Sequence, residues 1–175
     1  MPDAAFQITT RLGAPADRVW VWALTEEGIN FELRPWLRMT HPKGLTHARA
    51  IDQAPLGEPL GRSWILLRGL IPVDYDDLCL AERGPGLRFL EISELGSARR
   101  WQHEREVIPL DGGACEITDR LELDLRAPLR VIGGSRIAGR IVRTLFTHRH
   151  RRLLERWGMP PGRKSPDPRT TPNGA

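Results

Sequence analysis

The chain has 175 residues, 40% of them hydrophobic and 27% charged, which suits one ordinary globular domain and excludes an intrinsically disordered polypeptide. Its two cysteines, Cys79 and Cys115, are too few and too isolated for a disulfide framework or a zinc knuckle. The net charge of +4 is almost wholly arginine, since Lys43 and Lys164 are the only lysines, and its densest cluster, Arg136 to Arg156, reads as a solvated helix face rather than a nucleic-acid site.

The opening MPDAAFQITT has neither the basic nor the apolar region of an export signal. Apolar runs such as Trp64 to Leu67 fall far short of the roughly 20 residues that a membrane helix needs. A cytoplasmic protein without stable membrane association is expected. Phe6 to Leu12 alternates as a first strand, ended by Gly13. A helix should follow at once, because Ala14-Pro15-Ala16-Asp17 puts proline at the first helical position and a carboxylate in the first turn. Val19, Trp20, Ala23 and Leu24 give its apolar stripe. Glu26 to Leu33 forms a second short helix, stopped before Pro35 because the residue preceding a proline is pushed out of helical geometry.

From about Leu45 to Leu125 the pattern becomes strands separated by turn residues, an antiparallel meander. The clearest strand sets Cys115, Ile117, Asp119, Leu121, Leu123 and Leu125 on one face against Glu116, Thr118, Arg120, Glu122, Asp124 and Arg126 on the other. A turn at Asp111-Gly112-Gly113 that pairs Leu110 with Ala114 places Val107 opposite Ile117, Arg105 opposite Asp119, His103 opposite Leu121 and Trp101 opposite Leu123, all facing inward. A Gly96-Ser97 turn then extends that face to Leu90 and Ile92. The last element is a helix over Gly134 to Trp157, with Ile137, Ala138, Ile141, Val142, Leu145, Phe146, Leu153 and Trp157 at helical spacing. A single domain over 1–158 is expected, followed by a disordered proline-rich tail over 159–175.

This order of elements resembles the START and Bet v 1-like (SRPBCC) superfamily. Ala14-Pro15-Ala16-Asp17-Arg18-Val19-Trp20 is similar to the opening of its first helix, while Trp101-Gln102-His103-Glu104-Arg105, Thr118-Asp119-Arg120 and Leu145-Phe146-Thr147-His148-Arg149-His150 resemble its bacterial polyketide cyclase/dehydrase-like branch. The resemblance spans roughly residues 5 to 157 and implies an α+β helix-grip fold. In that fold a curved antiparallel sheet of about seven strands wraps a long C-terminal helix, with two short helices after the first strand and a cavity between sheet and helix. Function stays open, because one scaffold of this kind hosts many functions.

A buried charge is costly unless paired, and Arg105 and Asp119 meet that condition together. They read either as a cavity guanidinium held ready for a ligand carboxylate, enolate or phenolate, or as a pair that stiffens the sheet. His103 is the candidate general acid or base on the same face, and a histidine satisfied by a neighbouring carboxylate is the alternative. His103, Arg105 and Asp119 are thus the catalytic candidates. Tyr75 and Asp77 line the cavity if alternation holds through Cys79, and Trp64, Trp101, Leu90, Ile92, Leu121, Ile141, Leu145 and Phe146 supply apolar walls or solid core. Trp36 belongs to the cavity mouth. His148 and His150 point roughly 200° apart on a helix and cannot chelate together.

No GxSxG elbow, Walker loop, GxGxxG or HExxH is present, so no cofactor and no metal are expected. The leading expectation is a monomeric or homodimeric carrier that binds or sequesters a small hydrophobic or aromatic molecule. A cyclase or dehydratase acting on a polyketide-like or aromatic substrate is the alternative, and an interaction module using the arginine-rich helix face comes third.

Overall fold

The computed structural model describes residues 2–42, 54–131 and 133–160. Strand β1 (Ala4–Leu12) leads into helices α1 (Ala16–Ala23) and α2 (Glu26–Leu33). Then come β2 (Leu37–Met39), β3 (Pro59–Leu67), β4 (Ile71–Arg83), β5 (Leu87–Leu95), β6 (Ala98–Leu110) and β7 (Ala114–Leu125). A short α3 (Ala127–Val131) precedes the long α4 (Gly134–Trp157). The bounds of α2 and α4 are those the periodicity predicts. β2 and α3 are too short to carry a periodic signal and were not expected. The first stretch of the expected meander, 45–53, and residues 161–175 of the expected tail lie outside the described residues.

Local chemistry sets the helix ends. Pro15 is extended (φ −60°, ψ 141°), so α1 begins one residue later than expected. The Thr25 hydroxyl caps α2 by accepting from the Gly28 N–H at 2.9 Å and donating to the Trp22 carbonyl at 2.8 Å. Asn30 ties α2 to the sheet, donating to the Met39 carbonyl at 3.0 Å and accepting from the Met39 N–H at 2.8 Å.

The seven strands form one antiparallel sheet in the order β1-β7-β6-β5-β4-β3-β2, curled around α4 in the helix-grip arrangement. The β6–β7 register is the predicted one, with Leu110 opposite Ala114, Arg105 opposite Asp119 and Trp101 opposite Leu123. The β5 face is corrected. Phe89 opposes Arg105, Glu91 opposes His103 and Ser93 opposes Trp101, so Leu90 and Ile92 fall on the other face. Gly96 and Ser97 do join β5 to β6, but the pairing is shifted by one residue from that of a tight two-residue turn, and β6 carries an irregularity between Ala98 and Arg100; one residue inverts a strand face.

The main core joins Leu12, Val19, Trp20, Leu80, Phe89, Val107, Ile117 and Leu153. A smaller cluster of Ala98, Leu123 and Leu125 packs against Trp101, Ala138 and Val142. The stripe predicted for the last helix is therefore too broad. α4 presents Ala138 and Val142 to the sheet, while Ile137 and Ile141, about 100° round the helix, stay 61% and 62% exposed. Among the described residues no helix is long and apolar enough to cross a membrane.

Candidate functional site

Arg105 lies on the inward face of β6 with 1% exposure, and two carboxylates take four of its five N–H groups. Its Nε and Nη2 donate to Asp119 at 2.7 and 2.8 Å, while Nη1 and Nη2 donate to Glu32 of α2 at 2.9 Å each. Arg149 of α4 donates to the same Glu32, Nε to Oε2 at 2.9 Å. Asp119 also accepts from His103 Nε2 and from His150 Nε2, each at 2.9 Å, and the far nitrogen of His150 lies 2.8 Å from the Thr10 hydroxyl. Two arginines and two carboxylates thus close into a buried, neutral unit that ties α2 and α4 to β6 and β7.

The electrostatics follow from that geometry. Burial alone would raise the Asp119 carboxyl, but Arg105 and then His103 outweigh it and hold Asp119 well below its ordinary value. Burial opposes the charge of Glu32 too, and Arg105 and Arg149 hold its carboxyl down. For Arg105 burial disfavours the cation, yet Asp119 and Glu32 keep the guanidinium well above its ordinary value.

The polar belt continues across the sheet. His103 Nδ1 lies 3.7 Å from Glu91, which accepts from the Ser93 hydroxyl at 2.9 Å and shares a hydrogen bond with Asp76. Burial first, and then the neighbouring Glu91, push the Asp76 carboxyl well above its ordinary value, while its Oδ1 is buried without a partner. Such a group stabilises the fold fully below the unfolded-state value near 3.8, and that contribution is lost as pH rises through the folded value. Asp76→Asn, which cannot ionise, is therefore expected to lose less melting temperature than the wild type between pH 5 and pH 8. Parallel slopes in thermal scans at the two pH values would count against the buried acid.

The structure brings His103, Arg105 and Asp119 together as expected, and adds Glu32, Arg149, His150, Glu91 and Asp76. The facing of Trp64, Tyr75 and Asp77 is corrected. Ser63 and Asp76 oppose each other and are buried, so the neighbouring positions turn to the outer face. There Arg62 pairs with Asp77 at 2.8 Å and lies 3.7 Å over the Tyr75 ring, which meets Trp64 edge-on at 5.8 Å. Polar residues on both sides of the Asp74–Asp77 run leave no amphipathic signal to fix its facing. Asp77 and Ile92 line a shallow outer groove of about 460 Å³ together with Cys79, Arg99 and Arg100.

A second groove, of about 270 Å³, opens between α4 and strands β1, β6 and β7. Phe6, Trp101, Leu121 and Leu123 make an apolar floor, Val142 and Gly139 form the helix wall, and Arg136, Arg140 and Arg143 stand on the rim with Glu122. Gly139 lets the helix come close, since a Cβ there would meet the Ala4 Cβ at 3.3 Å. Of the expected ligand-binding residues, Trp101 and Leu121 line this groove. Phe146 is buried behind Trp101 with ring centroids 6.2 Å apart, Leu145 is half-buried outside the lining, and Ile141 faces solvent on another side of the helix. Trp36 is partly exposed and stacks on His148 at 4.1 Å, and His148 donates to the Arg34 carbonyl at 2.8 Å.

A family profile described as a domain of unknown function, DUF8410, matches residues 10–157. No curated protein matches the sequence. Among solved structures, the chain is similar to protein CV1439 from Chromobacterium violaceum, with 17% identity over 89% of this chain and 98% of that one and a TM-score of 0.65. It is also similar to the ZhuI aromatase/cyclase from Streptomyces sp. R1128, with 12% identity, 87% and 92% coverage and a TM-score of 0.60. A START superfamily protein from Mycobacterium smegmatis follows at 11% identity, 86% and 97% coverage and a TM-score of 0.57. At such identities these likenesses show the fold, which is the START/Bet v 1-like one.

Proposed function

The chain belongs to the DUF8410 family, and on that premise, with its START/Bet v 1-like fold, we propose that it binds one small apolar molecule carrying an acidic group, as a carrier or sequestering protein. The observation that carries this reading is the groove beside α4, whose aromatic and aliphatic floor meets three arginines at the rim. The outer groove, with Asp77, Glu94, Arg99 and Arg100 around it, has no aromatic side chain in its lining, and its arginines stand beside two carboxylates. Acid–base chemistry by His103 is the weaker reading, because its Nε2 is spent on Asp119 and Arg105 has both carboxylates in place.

The test is binding of a panel of fluorescent fatty acids and polycyclic phenols, alongside native mass spectrometry of protein purified from its own host. Trp101→Ala is expected to weaken the best probe about tenfold or more, the worth of a buried aromatic side chain. A protein that carries no ligand and binds none of the panel would end the proposal.

A further inference from the structure

We propose that one end of this molecule docks reversibly on an anionic lipid surface, a contact that goes beyond the ligand groove. The β3–β4 turn, the β5–β6 turn and the β7–α3 junction meet at that end. The Arg126 N–H donates to the Ser97 carbonyl at 3.1 Å, the Ser97 N–H donates to Asp74 at 3.2 Å, and the Gly96 N–H donates to the Tyr75 carbonyl at 3.1 Å. α4 also begins there. Leu70, Ile71 and Val73 of the β3–β4 hairpin are 82%, 60% and 53% exposed, and Val131 and Ile137 are 82% and 61% exposed. Among the described residues, the other large apolar side chains more than half exposed are Ile141, one turn further along α4, Val21 and Met159. Scattered apolar exposure is ordinary, whereas a concentration of this kind at one end marks a contact surface.

Charge decides the occupant. From Ala127 to Leu154 the sequence holds seven arginines and no acidic residue. Arg130, Arg136 and Arg140 stand exposed on the helical side, and Arg38 and Arg68 on the hairpin side. Of the acids at this end, Glu94 is paired with Arg126 at 3.0 Å, while Asp74, Asp3 and Asp124 are turned onto the Ser97 hydroxyl, the Leu125 N–H and the Asp3 N–H and are outnumbered by the five exposed arginines. Two apolar prongs ringed by guanidinium groups fit a bilayer that offers acyl chains below and phosphates above. A second copy of this chain would bring the same positive charge to the interface and repel.

The experiment is co-sedimentation of the full chain with vesicles of phosphatidylcholine containing about one third phosphatidylglycerol, against pure phosphatidylcholine, with light scattering in parallel. The expected result is binding to the anionic vesicles alone, weakened by added salt. The double substitution Leu70→Ser, Val131→Ser touches neither the core nor the groove, so it should keep the wild-type melting temperature and probe binding while losing tenfold or more in vesicle affinity. Arg130→Gln should cost about fivefold. Equal binding to neutral vesicles, no binding at all, or an unchanged double variant overturns the proposal. So does a dimer in solution that the same substitutions disperse, because a second copy would then cover this end.

Discussion

Arg105→Met is expected to destabilise the protein by about 3–5 kcal/mol at pH 7, because it leaves Glu32 and Asp119 fully buried with most of their compensation gone. A loss of that size is a large share of the stability of an ordinary domain, so the variant should unfold at much lower urea or be recovered in poor yield. The deficit should depend on pH with a definite sign. In the wild type Asp119 lies well below its ordinary value, so its contribution is complete above about pH 3.8 and is lost only as pH falls through the folded value. In the variant, burial without the guanidinium favours protonated carboxyls, whose contribution is present in acid and lost as pH rises. The gap between the two proteins should be widest near neutrality and narrow toward pH 4. Equal urea midpoints at pH 7 would show that the buried pairs contribute little beyond their own desolvation.

Phe146→Ala is expected to cost a similar amount, about 3–5 kcal/mol, by a different route. The Phe146 ring is 2% exposed and packs among Phe6 at 6.2 Å, Trp101 at 6.2 Å, His103 at 5.2 Å and the Arg149 guanidinium at 4.6 Å. Truncation removes a partner from each and opens space directly behind the Trp101 side of the groove. If the groove binds ligand, the weakened variant should accept a bulkier probe than the wild type does. A urea midpoint loss without any change in probe preference would separate the packing role of this ring from any part in ligand selection.

The long alternation of β7 and the glycine turn before it made the β6–β7 pairing legible, and with it the opposition of Arg105 and Asp119. What surrounds that pair was not legible, because Glu32 and Arg149 reach it from elements far away in the chain. A signal was nonetheless present. The apolar stripe of α4 runs through Phe146 and Leu153 and is interrupted by Arg149 and His150 where a buried position falls due, and polar residues in that gap imply buried partners. Glu32, between Phe31 and Leu33 in α2, is the same kind of sign. The facing of β4 and β5 could not be read, since one stretch is polar on both sides and the other follows an irregular turn that no residue type announces.

Helix α4 is held unevenly along its length: Ala138 and Val142 rest on the small cluster of Ala98, Leu123 and Leu125, whereas the buried charge pairs grip only its second half. Its buried residues begin at Phe146, and beyond its last turn the Gly13 N–H donates to the Gly158 carbonyl at 3.0 Å. Gly13 admits that approach because a Cβ there would stand 2.6 Å from the Met159 carbonyl oxygen. The helix is clamped most firmly at its C-terminal root, while its first turns, from Gly134 to Arg143, meet the sheet through the lighter contacts of Ala138, Gly139 and Val142. Lifting those turns gives up these apolar contacts but none of the buried charge pairs, so widening the groove draws on a local opening equilibrium rather than on unfolding of the clamp.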